Sequence, residues 1–132
     1  MFRIKYCREV ALKMLYQLDV LQADEEDRLR ILQDNLDFFK GLNPTEKKFV
    51  TDIVDKVHEG KEEIDQLITK NLIGWKLERL MLIDRNLLRM GIAESYFNDQ
   101  KAIIIDDVVR IAKKYGGEDS YKIINAILDR VL

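Results

Sequence analysis

The sequence predicts an all-α fold, a single domain over residues 1–132 built as a bundle of about seven helices. Three observations carry that prediction. Apolar residues recur at three- and four-residue steps through most of the chain. No segment sustains the two-residue alternation of a half-buried strand, and Ile103-Ile104-Ile105 runs directly into a helical period. Glycine and proline fall mainly between the periodic segments, as punctuation. With 132 residues, 47% hydrophobic and 35% charged, the chain suits a folded, helix-rich domain with a real core.

The first helix is predicted from about Ile4 to Leu21. Cys7, Val10, Ala11, Met14, Leu15, Leu18 and Leu21 mark one face, and Leu12, Tyr16 and Val20 a second stripe beside it. Two stripes place this helix between neighbours. After a polar break at Asp24–Asp27, a second helix is predicted from about Glu26 to Phe39, with Leu29, Leu32, Leu36 and Phe39 inward and Gly41 at its end. Asn43, Pro44 and Glu46 then spell an N-cap, a proline at the first helical position and the reciprocal acid of a capping box. The third helix carries Phe49, Ile53, Val54 and Val57 to Gly60, and Ile64, Leu67, Ile68 and Leu72 continue the pattern beyond it.

Gly74-Trp75 interrupts the pattern, and Leu77, Leu80 and Met81 suggest a short turn of helix. Asp84 is the predicted cap of the next helix, lined by Leu87, Leu88, Gly91, Ile92, Ser95 and Tyr96. A glycine such as Gly91 inside a helix costs about 1 kcal/mol relative to alanine, usually compensated by a closely packed neighbour. The last two helices present Ile105, Val108, Val109, Ala112 and Tyr115, then Ile124, Ile127, Leu128 and Val131. Between them, Gly116 and Gly117 are expected to take the left-handed backbone that ends a helix, and Asp119 or Ser120 to cap the next one.

Charge is balanced overall, with 22 Lys plus Arg against 24 Asp plus Glu, so composition carries no nucleic-acid signal. Its distribution is uneven. Residues 1–16 hold four cations against Glu9 alone, and residues 19–37 hold seven acids against two arginines. A basic start beside an acidic shoulder can orient a polyanion. Cys7 is the sole cysteine, which excludes an intramolecular disulfide and suits a reducing cytoplasm. No apolar run approaches the roughly 18 residues that span a bilayer, and no secretory signal follows Arg3, Lys5 and Arg8.

No catalytic constellation emerges. His58 is the only histidine and has no second ligand to build a metal site with Asp55. Neither a phosphate-cradling glycine loop nor a nucleophile–base pair is present. The sequence thus calls for no enzyme, metal or cofactor. A helix-turn-helix reading of the last two helices fails on chemistry: Ile123, Ile124, Ile127, Leu128, Val131 and Leu132 look like core, not a face laid in a groove. Contact with single-stranded RNA through the basic arm (Arg3, Lys5, Arg8) and the turn (Lys113, Lys114, Lys122) fits better.

Several phrases occur in order along the chain: Arg8–Gln17 (REVALKMLYQ), Trp75–Leu80 (WKLERL), Asp84–Arg89 (DRNLLR) with Ala93-Glu94, Ala112–Gly116 (AKKYG) and Asp119–Asp129 (DSYKIINAILD). Together they resemble the bacterial transcription antitermination factor NusB family over nearly the whole chain. That resemblance implies an all-helical, non-enzymatic adaptor. It would bind the boxA segment of nascent ribosomal RNA transcripts jointly with NusE, a ribosomal protein, in the RNA polymerase antitermination complex. It implies an RNA-contacting arm, reduced here to Arg3 and Lys5 plus Arg8, and an RNA-proximal turn at Asp119, Ser120 and Lys122. Ile123 stands where the family commonly has a phenylalanine able to stack on a base, and Tyr16, Glu78 and Asp84 match its NusE-facing surface. The alternative is the related RNA-binding domain ahead of ribosomal RNA methyltransferases, which would make this chain a fragment. Monomer and homodimer both remain open, since Leu12 and Phe97 suit core or interface.

Overall fold

Helix α5 (Leu82–Ser95) is the axis of the molecule. Every residue from Asn86 to Glu94 is buried, because α1 (Ile4–Leu21), α3 (Pro44–Glu59), α4 (Lys61–Lys70), α6 (Lys101–Tyr115) and α7 (Ser120–Val131) all pack around it. Helix α2 (Glu25–Phe38) lies outside, against α1. A single 3₁₀ turn, Leu77–Arg79, stands where the short helical turn is expected. The computed structural model describes residues 1–38, 41–74 and 76–132, with the side chains of 36–38 outside that description. The inward positions expected for Leu36 and Phe39, and the break at Trp75, therefore lie beyond the described residues.

The architecture among the described residues is all-α, as the periodicity requires, and one hydrophobic cluster runs from Cys7 and Met14 through Ile53, Ile64 and Leu88 to Ile111 and Leu128. Leu12 is part of it, which resolves its role as core. The capping box at α3 forms as spelled: Asn43 Oδ1 accepts from the Glu46 amide at 2.9 Å, and Glu46 Oε1 accepts from the Asn43 amide at 3.0 Å. Gly91 faces α6 and α7, where a Cβ would meet Leu128 and Val108 methyls at 3.4 to 3.5 Å, close to ordinary contact.

Four local expectations are corrected. Leu29 points to solvent, 54% exposed, because α2 buries Ile31 and Leu32 instead. Tyr96 is exposed beyond the end of α5. Tyr115 is also exposed; its ring lies on the surface while its hydroxyl donates to Glu9 at 2.9 Å. Gly116 has extended backbone (φ −85°, ψ −177°), and the one glycine with positive φ among the described residues is Gly74. Glycine at 116 is dictated by space: a Cβ would come within 2.8 Å of the Ser120 side chain and 2.7 Å of the Ala112 carbonyl.

Candidate nucleic-acid interface

The basic arm is largely spent on folding. Arg8, expected to touch RNA, is 1% exposed and enclosed by two carboxylates. Its Nε and one terminal nitrogen donate to Glu94 at 2.7 and 2.6 Å, and the other to Asp107 at 2.9 Å. Burial opposes its charge, but the bonds to Glu94 and then Asp107 outweigh it and raise the Arg8 pKa. The correction is physical: a phosphate would have to displace two buried carboxylates to reach this guanidinium.

Arg3 is engaged as well. Its backbone amide and Nε both donate to Glu46 Oε2, at 2.9 and 3.0 Å, a terminal nitrogen donates to Oε1 at 3.0 Å, and the same nitrogen donates to the Gly41 carbonyl. The Arg3 guanidinium first, and then the Asn43 amide, hold the Glu46 carboxyl down at about 2. Arg3 thus closes the capping box of α3 from outside. Burial pushes the neighbouring Cys7 thiol up to about 12, which makes it a core residue with no reactive character. Lys5 alone of the three expected arm cations is exposed with no ion pair among the described residues.

The α6–α7 hairpin is arranged differently. Lys113, Lys114, Asp119, Lys122 and Ile123 are all exposed. Lys114 donates to Glu9 at 2.8 Å, and that bond chiefly raises its pKa. Glu9 in turn is lowered: burial opposes its charge, but bonds from Lys114, Tyr115 and Arg110 outweigh it. Lys122, 64% exposed, makes a surface contact to Asp119 at 3.3 Å and lies 5.9 Å from the centre of the Tyr121 ring. Lys113 forms no ion pair among the described residues, and its Nζ lies 4.9 Å from the centre of the Tyr121 ring.

Ser120 is 4% exposed and is a strut, not a surface group, which corrects both its expected capping and its expected RNA contact. Its Oγ accepts from the Gly117 amide at 2.8 Å and donates to Asp84 at 2.9 Å, tying the turn to α5. Asp119 occupies the N-cap position of α7 without a side-chain cap bond. Asp84 is likewise not a cap: Met81 precedes α5, and Asp84 is its third residue, buried against Ser120 with Oδ1 lacking a partner among the described residues. Burial, opposed by the Ser120 bond, raises its pKa.

The residues expected to face a protein partner separate accordingly. Tyr16 is exposed in an apolar groove with Leu12, Lys13, Gln17, Asn35, Ile83 and Tyr115. Glu78 is exposed at the rim of a second, polar cleft between α1, α3 and α5. Asp84 lies beneath the surface. The polar cleft is lined by paired charges: Asp19 accepts from Arg85 (2.7 Å) and Asn86 (2.8 Å), and Arg89 bridges Asp19 (3.0 Å) and Asp65 (2.8 Å). His58 is at the surface, 2.8 Å from Glu25. No group of three or more potential metal ligands occurs among the described residues, and no described helix is long and apolar enough to cross a membrane.

Sequence reasoning missed the partners of Arg8, Glu94 and Asp107, which lie 86 and 99 residues away. One signal was available. Arg8 falls between Cys7, Val10, Ala11 and Leu15 on the buried side of α1, and both acids fall on apolar faces too. An isolated cation and isolated acids on buried faces are expected to find one another.

Comparison with known proteins shows what the chain as a whole is similar to. The NusB family model matches residues 6–132. The chain is 32% identical to the transcription antitermination protein NusB of Ruminiclostridium cellulolyticum, over 94% of this chain and 84% of the relative. It is 37% identical to the NusB of Syntrophomonas wolfei, over 95% and 92%. In structure it superposes on NusB of T. maritima with a TM-score of 0.88, at 31% identity, covering 99% of this chain and 92% of that one. It also superposes on a chain from a crystal structure of antitermination factors NusB and NusE in complex with double-stranded RNA, with a TM-score of 0.85 and 27% identity over 96% and 93%. The chain belongs to the NusB family.

Proposed function

We propose that this chain is a cytoplasmic, non-enzymatic transcription antitermination adaptor that binds single-stranded boxA-type RNA jointly with NusE and delivers it to the RNA polymerase antitermination complex. The observation that carries this reading is the similarity, over 96% of the chain, to a chain from a complex of NusB and NusE with double-stranded RNA; the preference for a single strand rests on the chemistry of the hairpin. The exposed lysines of the α6–α7 hairpin support it chemically. Lys113 and Lys122 can exchange water or a weak surface contact for phosphate oxygens at little cost. The RNA edge is then Lys113, Lys122 and the flanking Asp119 and Ile123, with Lys114 contributing if it leaves Glu9. Lys5 extends it from the arm, while Arg3, Arg8 and Ser120 hold the edge in place. Tyr16 and Glu78 are proposed contacts for NusE, with Asp84 supporting the turn from below.

The test is a fluorescence titration of single-stranded boxA-type RNA with this chain, with NusE and with both. Tighter binding to the pair than to either component is expected, with a duplex competitor less effective than the single strand. Equal affinity with and without NusE would refute the adaptor reading.

A further inference from the structure

Four tyrosines each lie against a cation, and what else holds them separates their roles. Tyr96 has Lys56 at 4.2 Å from its ring centre, but its hydroxyl donates to the Glu63 carboxylate at 3.3 Å. Tyr6 has Arg3 at 4.9 Å from its ring centre, but Arg3 is bound to Glu46. Tyr115 has Lys114 at 5.1 Å, but that lysine and the Tyr115 hydroxyl both bond Glu9. Tyr121 is different. Lys113 from α6 stands 4.9 Å from its ring centre and Lys122 from α7 stands 5.9 Å away, and neither is held by a buried acid.

Tyr121 is half-buried and packs against the hydrophobic core, so the ring is anchored while part of it meets solvent. An anchored aromatic surface flanked by mobile cations is the arrangement that binds single-stranded nucleic acid without reading base identity: the ring stacks a base and the cations follow the phosphates. Ile123, two residues on, is exposed but has no π-face to offer.

Resting on the RNA-binding reading above, we infer that Tyr121 is a base-stacking residue, on which one unpaired base of the RNA lies while Lys113 and Lys122 turn from the ring to the neighbouring phosphates. Because every base has a π-face, this position contributes affinity and register with little sequence preference. Lysine side chains are long and flexible enough for that exchange.

The decisive experiment uses the full chain with NusE and a single-stranded boxA-type RNA carrying 5-iodouridine at successive positions. Long-wavelength irradiation is expected to join one position to Tyr121, identified by mass spectrometry. Tyr121→Leu, which keeps an apolar side chain in the socket, should bind RNA about tenfold more weakly with an unchanged salt slope. Tyr121→Phe should stay within about twofold. Lys122→Ala should instead lower the salt slope by about 0.7 and leave the cross-link in place. Cross-linking only elsewhere, or wild-type affinity for Tyr121→Leu, overturns the stacking inference while the Lys122 result keeps the RNA reading. Absence of RNA binding by the wild-type protein overturns both.

Discussion

The N-terminal arm and the α6–α7 hairpin start from the same chemistry, a short run of cations beside a helix end, and the fold treats them in opposite ways. In the arm, Arg8 is sealed between Glu94 and Asp107, and Arg3 is bound through several hydrogen bonds to Glu46. At the turn of the hairpin, Ser120 is tied inward to Asp84 of α5, while Lys113 and Lys122 remain outside. Arginine, with a planar fork, suits bidentate internal pairing; lysine, a mobile point charge, suits exchangeable contacts with phosphate. Being basic is therefore insufficient to mark a nucleic-acid surface. What counts is whether a buried acid already holds the charge.

The largest expected effect breaks the arm. Arg8→Ala leaves Glu94 buried without its cation and Asp107 with Arg110 alone, and should cost about 3 to 5 kcal/mol of stability, read from urea denaturation. A loss under about 1 kcal/mol would mean that the pair is solvated and that Arg8 is within reach of ligands.

Next in size is the hairpin's own packing. Gly116→Ala drives a methyl into Ser120 and the Ala112 carbonyl and should cost about 1 to 3 kcal/mol. If the variant is as stable as the wild type, the turn has room that the packing denies.

The two clasps also differ in their response to pH. Glu46 titrates at about 2 in the folded protein against an ordinary 4.5. Its contribution is complete above the ordinary value and is lost as pH falls through about 2, so Glu46→Gln should flatten the acid limb of a stability–pH curve. Asp84 works in the opposite sense. Its raised pKa gives a contribution complete below 3.8 that is lost as pH rises through the higher folded value, and Asp84→Asn should remove that decline. Identical curves for wild type and variants would separate these carboxyls from acid stability.

Much of this architecture is legible in the residues. The Asn43–Glu46 capping box, the helix periods and the break at Gly60 all follow from local rules that act within a few residues. The internal ties are less legible because their partners are distant: Asp84 and Ser120 are separated by 36 positions, and Arg8 and Asp107 by 99. Local reasoning sees Arg8 as one more cation of a basic arm, and Ser120 as a cap, because both roles are available within a single turn. The fold assigns them otherwise. Gly116 shows the same limit, since left-handed backbone is the usual reason for glycine after a helix and crowding by Ser120 is the reason here. The resemblance phrases gain a physical reading: Arg8, Arg89, Asp84 and Glu94 within them are internal struts.

The most direct test of the contrast is the salt dependence of boxA-type RNA binding, in the presence of NusE, for Lys113→Ala/Lys122→Ala beside Lys5→Ala. If the hairpin carries the RNA edge, the double variant should bind more weakly and its slope of log affinity against log salt should shrink by roughly 1.4, about 0.7 per lost phosphate contact on a single strand, with Lys5→Ala losing no more than half of that. A wild-type slope for the double variant, or a larger loss in Lys5→Ala, would contradict the account and return the RNA to the arm.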